Sequence, residues 1–319
     1  MLVRLLLVLA FALTSMSARA FPDRPIRIMV PFAPGGASDI LARAVGARMQ
    51  ERLGQPVVIE NRGGASGITG TQAVATAPAD GHTLLFGTIS TLGVNPSLFE
   101  GRLPYDPLTS FAPLSLAAEV PLVLVVHRSV PAQSVRELVD ASRQPGSNFS
   151  YASGGNGTSQ HLAAELFLSA AGVTWTHVPY RGSAPGMADV VAGHVPLMFD
   201  NINTALPHIR AGALRPLAVT GSRRSAQLPE VPTLMELGFS GVVVTTWFAF
   251  LAPSGTPQPV TERLASSITA ALNDAEVSER LRAQGMELLA QPPAVLAEHL
   301  RAEIAKWRRL VAERGIRVE

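Results

Sequence analysis

The sequence predicts an α/β protein of two similar lobes joined by a two-crossing hinge, with a cleft between them. Three observations predict it. Short apolar strands alternate with glycine-rich turns and helices, the pattern of parallel sheets with helices on their faces. The pattern occurs twice, with Arg62-Gly63-Gly64-Ala65 echoed by Arg181-Gly182-Ser183-Ala184, and Gly81-His82-Thr83 by Gly193-His194-Val195. Two long apolar runs, near 113–122 and 242–251, are placed to carry the chain out to a second lobe and back. The division expected is 21–118 with 248–319 for lobe 1 and 119–247 for lobe 2, after a leader over 1–20.

Strand Ile26–Val30 opens the first unit and runs into Pro31-Phe32-Ala33-Pro34-Gly35-Gly36-Ala37-Ser38-Asp39. The helix that follows carries Leu41, Ala44, Val45, Met49 and Leu53 at helical spacing and stops at Gly54. Strand Val57–Glu60, a second glycine turn, a helix near Thr69–Ala77 and strand Thr83–Phe86 complete it, and Asn95–Asp106 is expected to be irregular. Pro113–Ala118 and Pro121–His127 read as separate apolar segments, and Ser134 caps a helix over Val135–Arg143. The second unit runs through strand Phe149–Ala152, loop Ser153–Ser159, helix Gln160–Ala171, strand Thr176–Val178, a further helix and strand Val195–Phe199. Helix Asn203–Ala211, strand Leu217–Thr220 and the return crossing lead to helices near Thr261–Asn273, Glu276–Gln284 and Pro293–Glu313. The last is expected to present Glu303, Arg308 and Glu313 as a polar face.

Composition narrows the classes. With 319 residues, 47% apolar, 27 Gly and 25 Pro, the chain is long enough for two cores and too apolar for a disordered protein. Met1–Ala20 has the form of a secretion leader: Arg4, then apolar Leu5–Leu13, then Ala18-Arg19-Ala20 for cleavage. Its loss with Arg4 and Arg19 leaves equal numbers of acidic and basic residues. Nothing in that balance calls for nucleic acid. The 0 Cys remove disulfides and thiolate metal sites, and with none ahead of the cleavage point a lipid anchor is not expected.

Ligands in such sheets sit at the carboxyl ends of the strands, here the loops 31–38, 61–67 and 87–91. A glycine turn opening a helix offers free N–H groups and a positive dipole end, which suit a carboxylate or phosphate. Phe32, Gly36, Ala37, Ser38, Ser66, Thr88 and Ser90 are therefore candidate ligand contacts. Asp39 reads first as a helix-start residue. Arg62 and Arg181 could clamp a carboxylate, but each precedes a glycine turn at the same repeat position, so structural roles are favoured. Asp200 either caps the next helix or meets a ligand ammonium or hydroxyl, and His161 is either packed or a charged ligand contact. Trp247 and Phe248 read as hinge packing before cleft wall.

In order along the chain, Pro31-Phe32-Ala33-Pro34-Gly35-Gly36, Asn61-Arg62-Gly63-Gly64-Ala65, Ala79-Asp80-Gly81, Asn95-Pro96-Ser97-Leu98, Ser153–Leu162, Pro179-Tyr180-Arg181-Gly182, Phe199-Asp200-Asn201 and Pro253-Ser254-Gly255-Thr256-Pro257 form a set. The chain resembles the extracytoplasmic solute receptors of the tripartite tricarboxylate transporter, or Bug, family. The resemblance covers essentially the whole chain after the leader. It implies a type II periplasmic-binding-protein fold, a periplasmic location, a small carboxylate ligand, membrane permease subunits as partners and no cofactor. It carries Gly36, Ala37 and Ser38 on one side, and Ser153, Gly157, Thr158 and His161 on the other, over as ligand contacts. Gln160 departs from the smaller residue often found there, and no ligand contact is drawn from it. A monomer without enzymatic activity is expected. The alternatives are an exported hydrolase, which lacks a Gly-x-Ser-x-Gly elbow, and a ligand-sensing subunit for a membrane kinase.

Overall fold

The computed structural model describes residues 21–314, so the leader predicted over 1–20 lies outside the described residues. Strand β1 (Ile26–Val30) is buried at four of five positions and pairs in parallel with β2 (Val57–Asn61) and β3 (Thr83–Thr88). Helix α1 (Ala37–Leu53) joins β1 to β2, and α2 (Ile68–Ala75) joins β2 to β3. The second unit repeats this wiring. Strand β5 (Ser150–Ser153) pairs in parallel with β6 (Thr176–Pro179) and β7 (Leu197–Asn201). Between them lie α5 (Ser159–Ala171) and α6 (Ser183–Val191). The orders β2-β1-β3 and β6-β5-β7 are therefore the same motif used twice.

A 17-residue strand, β4 (Phe111–His127), joins the two units. The sequence reads as two apolar segments because Pro121 interrupts it, yet the ladder continues: residues before Pro121 pair with β9 (Thr245–Pro253), and those after it with β7 and β8 (Leu214–Val219). Register shifts between Pro113 and Ser115, and between Leu116 and Ala118, accommodate the bend. Strand β3 closes onto β9, so both crossings of the expected hinge run antiparallel through one curled sheet. Helices α3 (Asn95–Leu98), α4 (Val135–Ser142), α7 (Ile202–Arg210), α8 (Gln258–Leu272), α9 (Ala275–Ala283) and α10 (Pro293–Arg314) cover its faces. Among the described residues, no helix is long and apolar enough to cross a membrane.

Three expectations need correction. Residues 95–98 form a helical turn, continuous with a wide π-helical turn over Ile89–Val94 that Thr88 caps through Thr91. A strand is added, β10 (Glu287–Gln291), antiparallel to β4. Glu303 does not lie on an outer polar face. It is buried and accepts hydrogen bonds from the indole N–H groups of Trp247 and Trp307, both at 2.9 Å, and from Lys306 at 3.0 Å. Trp307 fills the core, and the buried indole donors require an acceptor inside. This cluster ties hinge strand β9 to α10.

Burial acts to raise the Glu303 carboxyl, but Lys306 and the indole donors outweigh it, and its pKa lies below the usual value. A depressed carboxylate contributes stability above its unfolded pKa and loses it as pH falls through the folded one. Glu303→Gln should therefore cost about 1.5–3 kcal/mol in urea unfolding at neutral pH. The difference from wild type should shrink below about pH 4, where Glu protonates; a constant difference would show that its charge contributes nothing.

Candidate functional site

The loop after β1 is held by Asp39. Its carboxylate accepts from the N–H of Gly35 at 3.0 Å and pairs with Arg43 at 2.9 Å, and Arg43 also reaches Asn61. Burial opposes the charge, but Arg43, Gly35 and Asn61 together lower the Asp39 pKa. Gly35 sits at φ +86°, where a side chain would be strained. Asp39 is thus committed to shaping the turn. Gly36, the residue that begins α1, makes no side-chain cap, so the first N–H groups of α1 are left to face the cleft.

On the opposite side, Thr158 begins α5. Its hydroxyl donates to the carbonyl of Gly155 at 2.7 Å and accepts from the N–H of His161. Behind the loop lies an aromatic stack: Tyr151 on His177, and His177 on His161 with ring centres 4.3 Å apart. His161 accepts the N–H of Gly157 through Nδ1, and Ser153 Oγ meets His177 Nε2 at 2.6 Å. Burial lowers the pKa of His161 to about 4, and burial with the neighbouring His161 lowers His177 likewise. Both rings are therefore neutral at physiological pH, so His161 supplies the loop with an acceptor and brings no positive charge to a ligand.

Asp200 ends β7 with no exposed surface. Its carboxylate accepts from Gln160 Nε2 at 3.1 Å, from Ser183 Oγ at 2.7 Å and from Thr204 Oγ1 at 2.7 Å. These donors belong to the first turns of α5, α6 and α7, so one side chain binds three helix starts together. Burial raises the Asp200 pKa, against the pull of these hydrogen bonds.

The result is a narrow cleft with about 40 Å3 of free space, its two sides drawn close together. Residues at the starts of α1, α5, α6 and α7 all line it: Gly36 to Ser38, Thr158 to Gln160, Ser183 and Asn201. Hydroxyls of Thr88, Ser90 and Thr246 add donors, and Phe32 and Phe248 form an apolar wall. No charged side chain among the described residues lines it. The two sides touch directly. The N–H of Ala33 donates to the carbonyl of Arg181 at 3.3 Å, while Ser159 meets Thr246 of the crossing strand β9 at 2.6 Å.

The sequence model for the "Tripartite tricarboxylate transporter family receptor" matches residues 41–316. The chain belongs to this family. Periplasmic binding protein BugD has a similar structure, with TM-score 0.90 and 34% identity over 94% of this chain and 100% of that one. A Rhodopseudomonas palustris protein solved with adipate aligns at TM-score 0.89 and 38% identity, over 93% and 99% of the two chains. MatC from the same organism, solved with bound malate, aligns at TM-score 0.87 and 34% identity over 91% and 100%. The family is one of receptors, and BugD is a periplasmic binding protein.

Within this receptor, Phe32, Gly36, Ala37, Ser38, Thr88, Ser90 and Thr158 converge on the cleft. Ser153, Gly157, His161 and Asp200 lie behind the lining and support it, and Ser66 is outside it, at φ +56° in a turn held by Asn95. Gln160, from which the sequence drew no ligand contact, lines the cleft and is oriented by Asp200. Ser159, Ser183, Asn201, Thr246 and Phe248 were not among the sequence candidates as contacts. For Ser183 a signal existed, since it stands in the repeated Arg-Gly-x-Ala turn. Arg62 and Arg181 expose their side chains away from the lining. Phe248 faces the cleft, whereas its neighbour Trp247 faces the core, as alternation along a strand requires.

The histidine stack predicts a pH dependence. A histidine whose folded pKa is lowered favours folding when neutral, so stability is lost as pH falls from about 6.5 towards about 4. Thermal melts should drop across that window, and His177→Phe should flatten the drop. An unchanged profile in the variant would remove the stack as its cause.

Proposed function

We propose that this protein captures a small carboxylate between two lobes, 21–118 with 248–319 and 119–247, and delivers it to a tripartite tricarboxylate-type membrane transporter. It would do so in the periplasm as a monomer, after loss of the leader over 1–20. The observation that carries this reading is the convergence of four helix N-termini on one cleft without a charged side chain in its lining. Each such end carries roughly half a positive charge, and its N–H groups point outward to accept an anion. Hydroxyls around them complete the donor set. The malate and adipate held by two neighbours are in keeping with it.

The hydrolase alternative finds one suggestive pair, Ser153 with His177. Ser153 is fully buried and also bonded within its own loop, so it presents no nucleophile to the cleft.

The test is a thermal-shift screen of residues 21–319 against mono-, di- and tricarboxylates, with product analysis on every hit. A ligand at about 100 times its Kd should add about 2.7 kcal/mol of stability. Recovery of the hit intact supports a receptor; its consumption would overturn that in favour of an enzyme. In calorimetry with the hit, Ser38→Ala and Ser159→Ala should each weaken binding by about 0.5–1.5 kcal/mol; Ser38→Ala should do so without lowering the melting temperature, whereas Ser159→Ala should lower it, because the Thr246 hydroxyl loses its partner. Unchanged affinity would remove those hydroxyls from the site.

A further inference from the structure

We infer that Arg62 and Arg181, brought to one seam by the two units, dock an acidic segment of the membrane transporter, an inference that rests on the receptor reading above. The two arginines stand at equivalent points of the repeat, directly after β2 and just past the end of β6. Their turns meet beside the cleft lining. The N–H of Ala33 donates to the carbonyl of Arg181 at 3.3 Å. A Cβ at Gly63 would come 3.5 Å from that carbonyl, and one at Gly182 would come 3.0 Å from Ala33. Glycine after each arginine thus lets the two backbones pack on one another. The pairing of Arg62 with Arg181 belongs to the joined units and to neither alone, so a partner that touches both reads whether they are together.

The side chains have no other employment. The structural role expected for them from the sequence would hold loop carbonyls or helix ends, yet both are exposed, and among the described residues neither guanidinium has a hydrogen-bond or ion-pair partner. Neither lines the cleft. A third cation, the half-exposed Arg43, reaches Asn61 beside Arg62. The acids on the elements around them are already held: Asp39 by Arg43, Glu60 by Arg27 and Asp189 by Tyr180. The seam is therefore a positive spot on a chain whose acidic and basic residues are otherwise equal in number once the leader is removed. A free guanidinium fork matches a carboxylate with two parallel hydrogen bonds. Next to Arg62, Thr69, Gln72 and Thr76 of α2 form an open polar groove that offers a peptide segment further hydrogen bonds. An anionic lipid surface fits less well, because attraction to it grows by about 1 kcal/mol with each basic residue and needs a broad basic face.

Uptake of the labelled acid found by the thermal-shift screen tests this, in the native host with its own gene deleted and the receptor or a variant restored. Arg62→Gln combined with Arg181→Gln should lower uptake about tenfold, and each alone about threefold, while the melting temperature holds and calorimetry finds the Kd for the acid within about twofold of wild type. Arg181→Glu should lower uptake further than Arg181→Gln. Arg136→Gln, which removes an exposed arginine of α4, should leave uptake unchanged. Unchanged uptake with the folded double variant, or an equal loss with Arg136→Gln, would overturn the inference and leave the receptor reading intact. A weakened Kd would assign the arginines to ligand capture and overturn it as well. Sedimentation with phosphatidylglycerol vesicles should not distinguish wild type from the double variant; binding that the variant loses would give the seam to lipid instead. A screen without a hit, or uptake that persists without the receptor, would overturn the receptor reading itself, and the inference with it.

Discussion

Four helix N-termini cannot be brought together without electrostatic cost, because their partial positive charges repel. Much of the architecture around the cleft answers that constraint. Asp200 lies behind the starts of α5, α6 and α7 and accepts a hydrogen bond from the first turn of each. A carboxyl group is costly to bury without donors, and here the side chains of Gln160, Ser183 and Thr204 at the three helix starts supply them. Asp39 does related work in lobe 1, holding Gly35 while leaving the start of α1 uncapped. Each lobe thus satisfies its own backbone from behind and leaves the N–H groups in front for an occupant. On the proposed reading, an anion between the two units would complete the balance.

The hinge must hold that geometry while joining two similar units. Strand β4 pairs with β9 over its first part and with β7 and β8 over its second, so the same backbone belongs to both halves of the sheet. A continuous apolar cluster runs beside it, from Leu85 and Leu116 to Leu124, Phe167 and Trp247. The bond from Trp247 to Glu303 fixes β9 to α10, and the next residue along the strand, Phe248, turns into the cleft. The wall of the site and the anchoring of the hinge are adjacent positions on one strand.

Much of this was legible in the sequence because it depends on local rules. Glycine turns before helices, apolar spacing in α1 and α5, and the repeated Arg-Gly turn specify the wiring of each unit, and the structure has that wiring twice. The facing of individual side chains was less legible. Successive residues at a helix start rotate by about 100°. Within a few positions, Thr158 to Gln160 therefore reach the cleft while Gly157 and His161 stand behind it. Nothing local distinguishes His161 from Gln160; the difference comes from His177 and Asp200, distant in sequence. Glu303 misled for a similar reason. A Glu on a terminal helix reads as surface until Trp247 and Trp307 require a buried acceptor.

Backbone donors explain how such a site can keep its frame while its ligand preference changes. An N–H group at a helix start reads any carboxylate alike, and its position follows from the glycine turn and the sheet, not from the side chain it bears. On the proposed reading, selection would then come from the wall, which includes Phe32, Asn201 and Thr246. The exposed side chains of Arg62 and Arg181 fit this division. In the second unit it is the carbonyl of Arg181 that meets the other lobe, through the N–H of Ala33, while the guanidinium stays off the site. A guanidinium in the lining would bind anions more strongly but would fix their geometry and raise the charge the cleft accepts. On the proposed reading, leaving recognition to amides and hydroxyls would let the shape of the wall decide among acids.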